Sequence, residues 1–211
     1  MKELRQAQHI LGMRIEWNQT KKTLWLSQSH YIRKVLRRFN MNNVKLAPTS
    51  LRLLDRDSLS TEDEWKLMSW IPYTSVVGRL MYVMVATQLD LAYVVRVTNH
   101  YMSKTGHEHW EVVKHIFRYL HGTEDIQLTF RSDKLTEVEG FMHSDYIDNP
   151  ENRKSTSGYV FTYWGDDISW TLKLQDCTAL STTEAKYIAD QTQPRKPFAY
   201  TDCQPIFWLT T

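Results

Sequence analysis

The sequence predicts an α+β protein, a helical region followed by a mixed sheet packed with a helix, and three observations carry that expectation. Between Tyr73 and Leu120 apolar side chains recur at helical spacing. Gly158 to Trp164 and Asp167 to Leu172 are short and rich in aromatic and β-branched residues, the composition of strands. Ser181-Thr182-Thr183-Glu184 then has the spacing of a capping box that opens a helix. Ahead of these, Glu139 to Asp145 reads as a strand, and alternation puts Phe141, His143 and Asp145 on one of its sides. A strand carboxylate set against a helix-borne carboxylate is what a divalent-metal nuclease needs.

The N-terminal elements follow in order. His9 to Trp17 and Thr23 to Leu26 are expected to be two strands joined by the polar turn Asn18 to Lys22. Ser27 can cap a helix to about Met41, with Ile32, Val35, Leu36 and Phe39 on one stripe and Arg33, Lys34, Arg37 and Arg38 away from it. Those four cations suit either an ordinary solvated face or a face that tracks phosphates. Residues 42–69 read as a loop or linker. Tyr73 to Thr87 is a buried helix through Val76, Val77, Leu80, Met81 and Met84. Asp90 is expected to cap a second helix to Tyr101. Glu108 to Leu120 is a third, ended by Gly122. Ile126 to Phe130 is a short strand, and Arg131 to Thr136 is a candidate boundary. His100, His107, His109, His115 and His121 lack carboxylate or thiolate partners at ligand spacing, so they are read as structural.

Composition narrows the classes. The 211 residues suit one large or two small domains, and 42% hydrophobic residues suffice for a core. Cys177 and Cys203 stand far apart, as free thiols of a reducing compartment do. No apolar run approaches the roughly 20 residues that span a membrane, so an intracellular protein, cytoplasmic or nuclear, is expected. Residues 1–50 carry ten Lys and Arg against two acids, a charge of +8 against −6 for the remainder, within a net +2. A basic segment joined to an acidic one suits contact with a nucleic-acid backbone.

Six blocks carry a resemblance: HILGMRIEW, KKTLWLSQSHYIRKVLRRFNM, YTSVVGRLMYVMVATQLDLAY, HWEVVKHIFRYLHGT, NRKSTSGYVF and ALSTTEAKYIA. In that order they resemble the C-terminal part of the Pol polyprotein of copia-type long-terminal-repeat retrotransposons, over residues 1 to about 189. The resemblance implies the end of a reverse transcriptase palm over 1–26, a thumb or connection-like helical region over 27–131, and a truncated ribonuclease H-like domain over 132–211. It places the palm's catalytic Tyr-x-Asp-Asp turn before Met1, so no polymerase activity is expected of this chain.

It also implies site residues. Active ribonuclease H domains hold two Mg²⁺ ions between carboxylates. In the copia family the first strand reads aromatic-x-Asp-x-Asp-aromatic. Ungapped alignment from Asn152-Arg153-Lys154-Ser155-Thr156 back to Gly140 puts His143 on the first, metal-bridging aspartate and Asp145 on the second. A histidine offers no anionic oxygen and prefers softer metals. Asp145 lies about 7 Å further along the strand, too far to take over without a two-residue slide. Glu184 matches the second catalytic carboxylate, although its spacing from Ser181 fits a capping box equally well. After Ala189 the resemblance breaks at Pro194 and Pro197. Tyr200-Thr201-Asp202-Cys203-Gln204 faintly resembles the strand end that carries a third aspartate, making Asp202 the third candidate ligand.

Three functions are expected in competition. The first is a Pol remnant with an impaired ribonuclease H. The second is a residual Mg²⁺-dependent RNA–DNA hybrid endonuclease using Asp145, Glu184 and Asp202. The third is a non-catalytic module that binds hybrid or duplex nucleic acid through Arg33, Lys34, Arg37 and Arg38.

Overall fold

The computed structural model describes residues 7–47, 68–103, 105–132, 137–146 and 153–192. Asp202 and most of the 42–69 linker lie outside the described residues. The chain divides into two compact units, Met1–Thr129 and Phe130–Thr211. Among the described residues no helix is long and apolar enough to cross a membrane.

The first unit begins with a sheet. Strands β1 (His9–Ile10), β2 (Met13–Asn18), β3 (Thr23–Ser27) and β4 (Gln127–Arg131) lie side by side in that order, and the unit boundary falls within β4. The single strand expected over His9 to Trp17 is instead a hairpin, because Leu11 and Gly12 both take positive φ, 48° and 78°. Ile10 then pairs with Met13 across two left-handed residues, the geometry that matches strand twist. The Asn18–Lys22 turn occurs as expected, with Asn18 pairing Thr23 and the Asn18 Oδ1 accepting from the Lys21 N–H at 2.8 Å.

Helices α1 (Ser29–Arg38), α2 (Tyr73–Ala86), α3 (Ala92–His100) and α4 (His107–Gly122) supply the core. Ile32, Val35 and Leu36 meet Val76, Val77, Leu80 and Val83 of α2, Val94 and Val95 of α3, and Val113, Ile116, Phe117 and Leu120 of α4. Each such side chain contributes roughly 1.5–3 kcal/mol on full burial. Phe39 stacks on Phe117 at 5.6 Å, closing the C-terminal end of α1 over α4.

Asp90 does not cap a helix. It sits within a single 3-10 turn, Leu89–Leu91, and its carboxylate accepts from the Tyr119 hydroxyl of α4. The Ser27 hydroxyl accepts from the Ser29 N–H at 3.3 Å, while the N-cap position of α1 belongs to Gln28. Buried Gln28 turns its side chain to the Thr87 hydroxyl at 2.7 Å, so the start of α1 is tied to the end of α2.

In the second unit, β5 (Glu139–Asp145), β6 (Thr156–Tyr163) and β7 (Asp166–Leu174) form an antiparallel sheet in that order, and α5 (Thr182–Thr192) packs on it. The expected mixed sheet is not what the described residues form, since both pairings here are antiparallel. The physical reason is local for β6 and β7: a two-residue turn reverses the chain between them, whereas a parallel partner needs a crossover. Trp164 and Gly165 make the β6–β7 turn with φ of 53° and 84°, again a two-residue left-handed loop. Gly158 of β6 is where a side chain would crowd: a Cβ there would meet Leu172 Cδ1 at 3.2 Å.

Candidate functional site

Strand alternation and register decide which way each candidate faces. Ser144 pairs with Ser157 and Met142 with Tyr159, and cross-strand partners share a face. That face is covered by α5: the Tyr159 hydroxyl reaches the Ala189 carbonyl at 3.1 Å, and Ala185 and Ala189 are fully buried there. Phe141, His143 and Asp145 pair with Val160, Gly158 and Thr156, so they lie on the opposite face.

On that open face His143 and Asp145 come together. His143 Nε2 and Asp145 Oδ1 are 2.8 Å apart, with side chains 74% and 61% exposed. The pair is solvated and sits on a strand at the side of the three-stranded sheet.

Glu184 has a different set of contacts. Its N–H donates to the Ser181 hydroxyl at 3.1 Å, and its carboxylate accepts from the Leu180 N–H at 2.7 Å. This is the reciprocal capping arrangement the Ser-x-x-Glu spacing allows, closed one residue earlier, and it satisfies N–H groups that a helix start leaves without partners. A carboxylate there also complements the positive end of the helix. The Leu180 carbonyl in turn accepts from the Tyr146 hydroxyl at 3.1 Å. Asp145 and Glu184 are therefore linked through their neighbours, Tyr146 and Leu180, while their carboxylates serve different partners. Asp202 lies outside the described residues. Among those described, no group of three or more His, Cys, Asp or Glu side chains is placed to hold a metal ion.

A residue the sequence gives no sign of holds this region together. Buried Gln175, just after β7, has two Nε2 hydrogens for three acceptors around it, the Ala185 carbonyl at 2.8 Å, the Ser157 hydroxyl at 2.9 Å and, more distant, the Ser144 hydroxyl at 3.3 Å. It joins α5, β6 and β5 at one point. Periodicity cannot reveal it, since a glutamine after a strand normally faces water.

The cationic candidates lie on α1. Arg33, Lys34, Arg37 and Arg38 are all exposed, on the helix face away from buried Ile32, Val35 and Leu36. Arg33 is engaged: its Nε lies 3.2 Å from Glu124 Oε1 and its Nη2 2.6 Å from Asp125 Oδ1, both in the turn between α4 and β4. Lys34, Arg37 and Arg38 form no ion pair among the described residues. Arg37 and Arg38 occupy the last turn of α1, where cations also complement the negative end of the helix.

His109 shows how the α4 histidines are used. It is buried, its Nδ1 accepts from the Gly106 N–H at 3.0 Å, and its ring stacks on Tyr101 at 4.0 Å. Burial lowers its pKa from the usual histidine value, opposed in part by Glu108. It caps α4 as a neutral ring.

Over 194 residues, 90% of its length, the chain is 47% identical to the retrovirus-related Pol polyprotein from transposon TNT 1-94 of Nicotiana tabacum. Retrovirus-related Pol polyproteins of plant transposons are thus among its homologues. It is also 30% identical over 187 residues, 89% of its length, to the retrovirus-related Pol polyprotein from transposon RE2 of Arabidopsis thaliana. The chain spans about 14% of the length of the tobacco polyprotein and about 12% of the RE2 one. It is 39% identical over 122 residues to Secreted RxLR effector protein 161 of Plasmopara viticola, covering 58% of this chain and 86% of that protein. No family model and no solved structure matches the chain.

Proposed function

We propose that this Pol relative corresponds to the end of a reverse transcriptase followed by a ribonuclease H-like region, and that it binds duplex nucleic acid without cleaving it efficiently. The observation that carries the reading is the pairing of His143 with Asp145 where the family pattern has two aspartates. Mg²⁺ requires hard oxygen ligands. His143 supplies none, Asp145 shares its carboxylate with the imidazole, and Glu184 caps α5. These residues do not fit a two-Mg²⁺ centre, and no hydrolytic step is assigned to them.

The test is cleavage of a labelled RNA–DNA hybrid with Mg²⁺ or Mn²⁺ by the natural chain and by His143→Asp. The expected result is no cleavage by the natural chain and measurable cleavage by the variant. Robust Mg²⁺-dependent cleavage by the natural chain would overturn the reading in favour of a residual endonuclease using Asp145, Glu184 and Asp202. Binding is supported separately by Lys34, Arg37 and Arg38, the exposed cations of α1 that form no ion pair among the described residues, and it should weaken steeply with salt.

A further inference from the structure

Four cations share the outer face of α1, yet the structure treats one of them differently. Arg33 is held by two carboxylates through separate nitrogens, Nε on Glu124 and Nη2 on Asp125. Charge-assisted contacts from a planar guanidinium are the strong kind, and two anchors fix the side chain against the turn that follows α4. The side chains of Arg33 and Glu124 are 45% and 24% exposed, so that contact is partly shielded from solvent, whereas Asp125, 77% exposed, makes the outer, solvated one. A phosphate would have to displace both carboxylates and would meet their charge while doing so. Lys34, Arg37 and Arg38 face solvent with no such competitor among the described residues.

We propose that Glu124 and Asp125 form an acidic clamp that withholds Arg33 from nucleic acid, leaving Lys34, Arg37 and Arg38 as the phosphate-contacting set. The inference rests on the reading that α1 binds a duplex, and it defines that surface. Arg33 is a positioning residue that seats α1 against the α4–β4 turn. The clamp also lowers the electrostatic attraction of this face and so limits how tightly it holds any sequence.

The experiment is a salt titration of binding to a labelled DNA duplex by the full chain. Each phosphate neutralised adds about 0.9 to the slope of log affinity against log salt, so three contacts predict a slope near −2.7 and about a 40-fold loss of affinity between roughly 50 and 200 mM salt. Freeing Arg33 with Glu124→Gln/Asp125→Asn should steepen the slope by about 0.9 and raise that loss to about 150-fold. Arg33→Ala alone should leave the slope unchanged, and adding it to the Gln/Asn pair should restore the natural slope. Lys34→Ala should reduce the slope by about 0.9. A shallower slope for Arg33→Ala would show that Arg33 already contacts phosphate, and would overturn the clamp while leaving duplex binding intact. Steepening that persists in the triple variant would also overturn it, since the acids would then act through their field alone. Absence of binding by the natural chain would overturn the inference together with the reading beneath it. Thermal melts followed by circular dichroism confirm that each variant is folded at the titration temperature.

Discussion

At the scale of single residues, Glu184 shows how one spacing can serve two purposes. Ser-x-x-Glu ahead of a helix fits a capping box, and the resemblance of the sequence to copia-type Pol polyproteins implies a catalytic role for the same glutamate. The geometry assigns it the cap: Ser181 accepts from Glu184's N–H, and Glu184 accepts from Leu180. Ser181→Ala is therefore expected to cost about 1 kcal/mol. Glu184→Gln keeps an acceptor oxygen and should cost only a few tenths of a kcal/mol beyond the lost charge at the helix start, typically about 0.3–1 kcal/mol. Denaturant titration of the full chain reads both. A gain of more than about 1 kcal/mol for Glu184→Gln would instead mark a carboxylate held in a functionally strained place. His143 and Asp145 were legible as face-mates because alternation is strict. Their mutual contact was not, because rotamers are not written in spacing.

At the scale of elements, strongly periodic segments were readable and punctuation was not. The helices over Tyr73–Ala86 and His107–Gly122 fall where apolar spacing puts them. The β1–β2 hairpin was hidden because Leu11-Gly12 carries an apolar residue where a turn signal is usually polar, leaving only Gly12 to mark it. Asp90 misled for the opposite reason: a good capping residue is instead an acceptor for Tyr119. The second unit depends on a tie no pattern predicts. Gln175 donates to the Ala185 carbonyl and the Ser157 hydroxyl in a buried place, so Gln175→Ala leaves those acceptors without their donor. Each unsatisfied buried group costs about 1–3 kcal/mol. The variant is expected to lose about that much stability, with hydrogen exchange accelerated at α5 and β6 and unaltered at α2. Equal acceleration in both units would contradict a tie confined to the second.

For the molecule as a whole, six blocks in a fixed order made the Pol relationship legible, while two titratable groups shifted by burial, one in each unit, respond to acid in opposite directions. His109 has a lowered pKa because burial disfavours its charged form. The folded first unit therefore binds fewer protons than the unfolded chain below about 6.5, the ordinary histidine value. Its stability is complete above that pH and falls as pH drops toward the lowered folded value. Protonation also removes the acceptor for Gly106's N–H and places a positive charge at the start of α4. In the second unit Asp167 runs the other way. Burial, and then Asp166, raise its pKa, so its charged form costs stability at neutral pH. That cost is relieved as pH falls through the raised value toward about 3.9, the ordinary aspartate value. Hydrogen exchange measured from pH 7 down to about 4.5, after correction for the intrinsic rate, should show protection at α4 falling and protection at β6 and β7 holding or rising. His109→Asn, which retains an acceptor and cannot titrate, should flatten the first trend. Asp167→Asn should flatten the second. Parallel loss of protection in both units, unchanged by either substitution, would place the acid sensitivity in other groups.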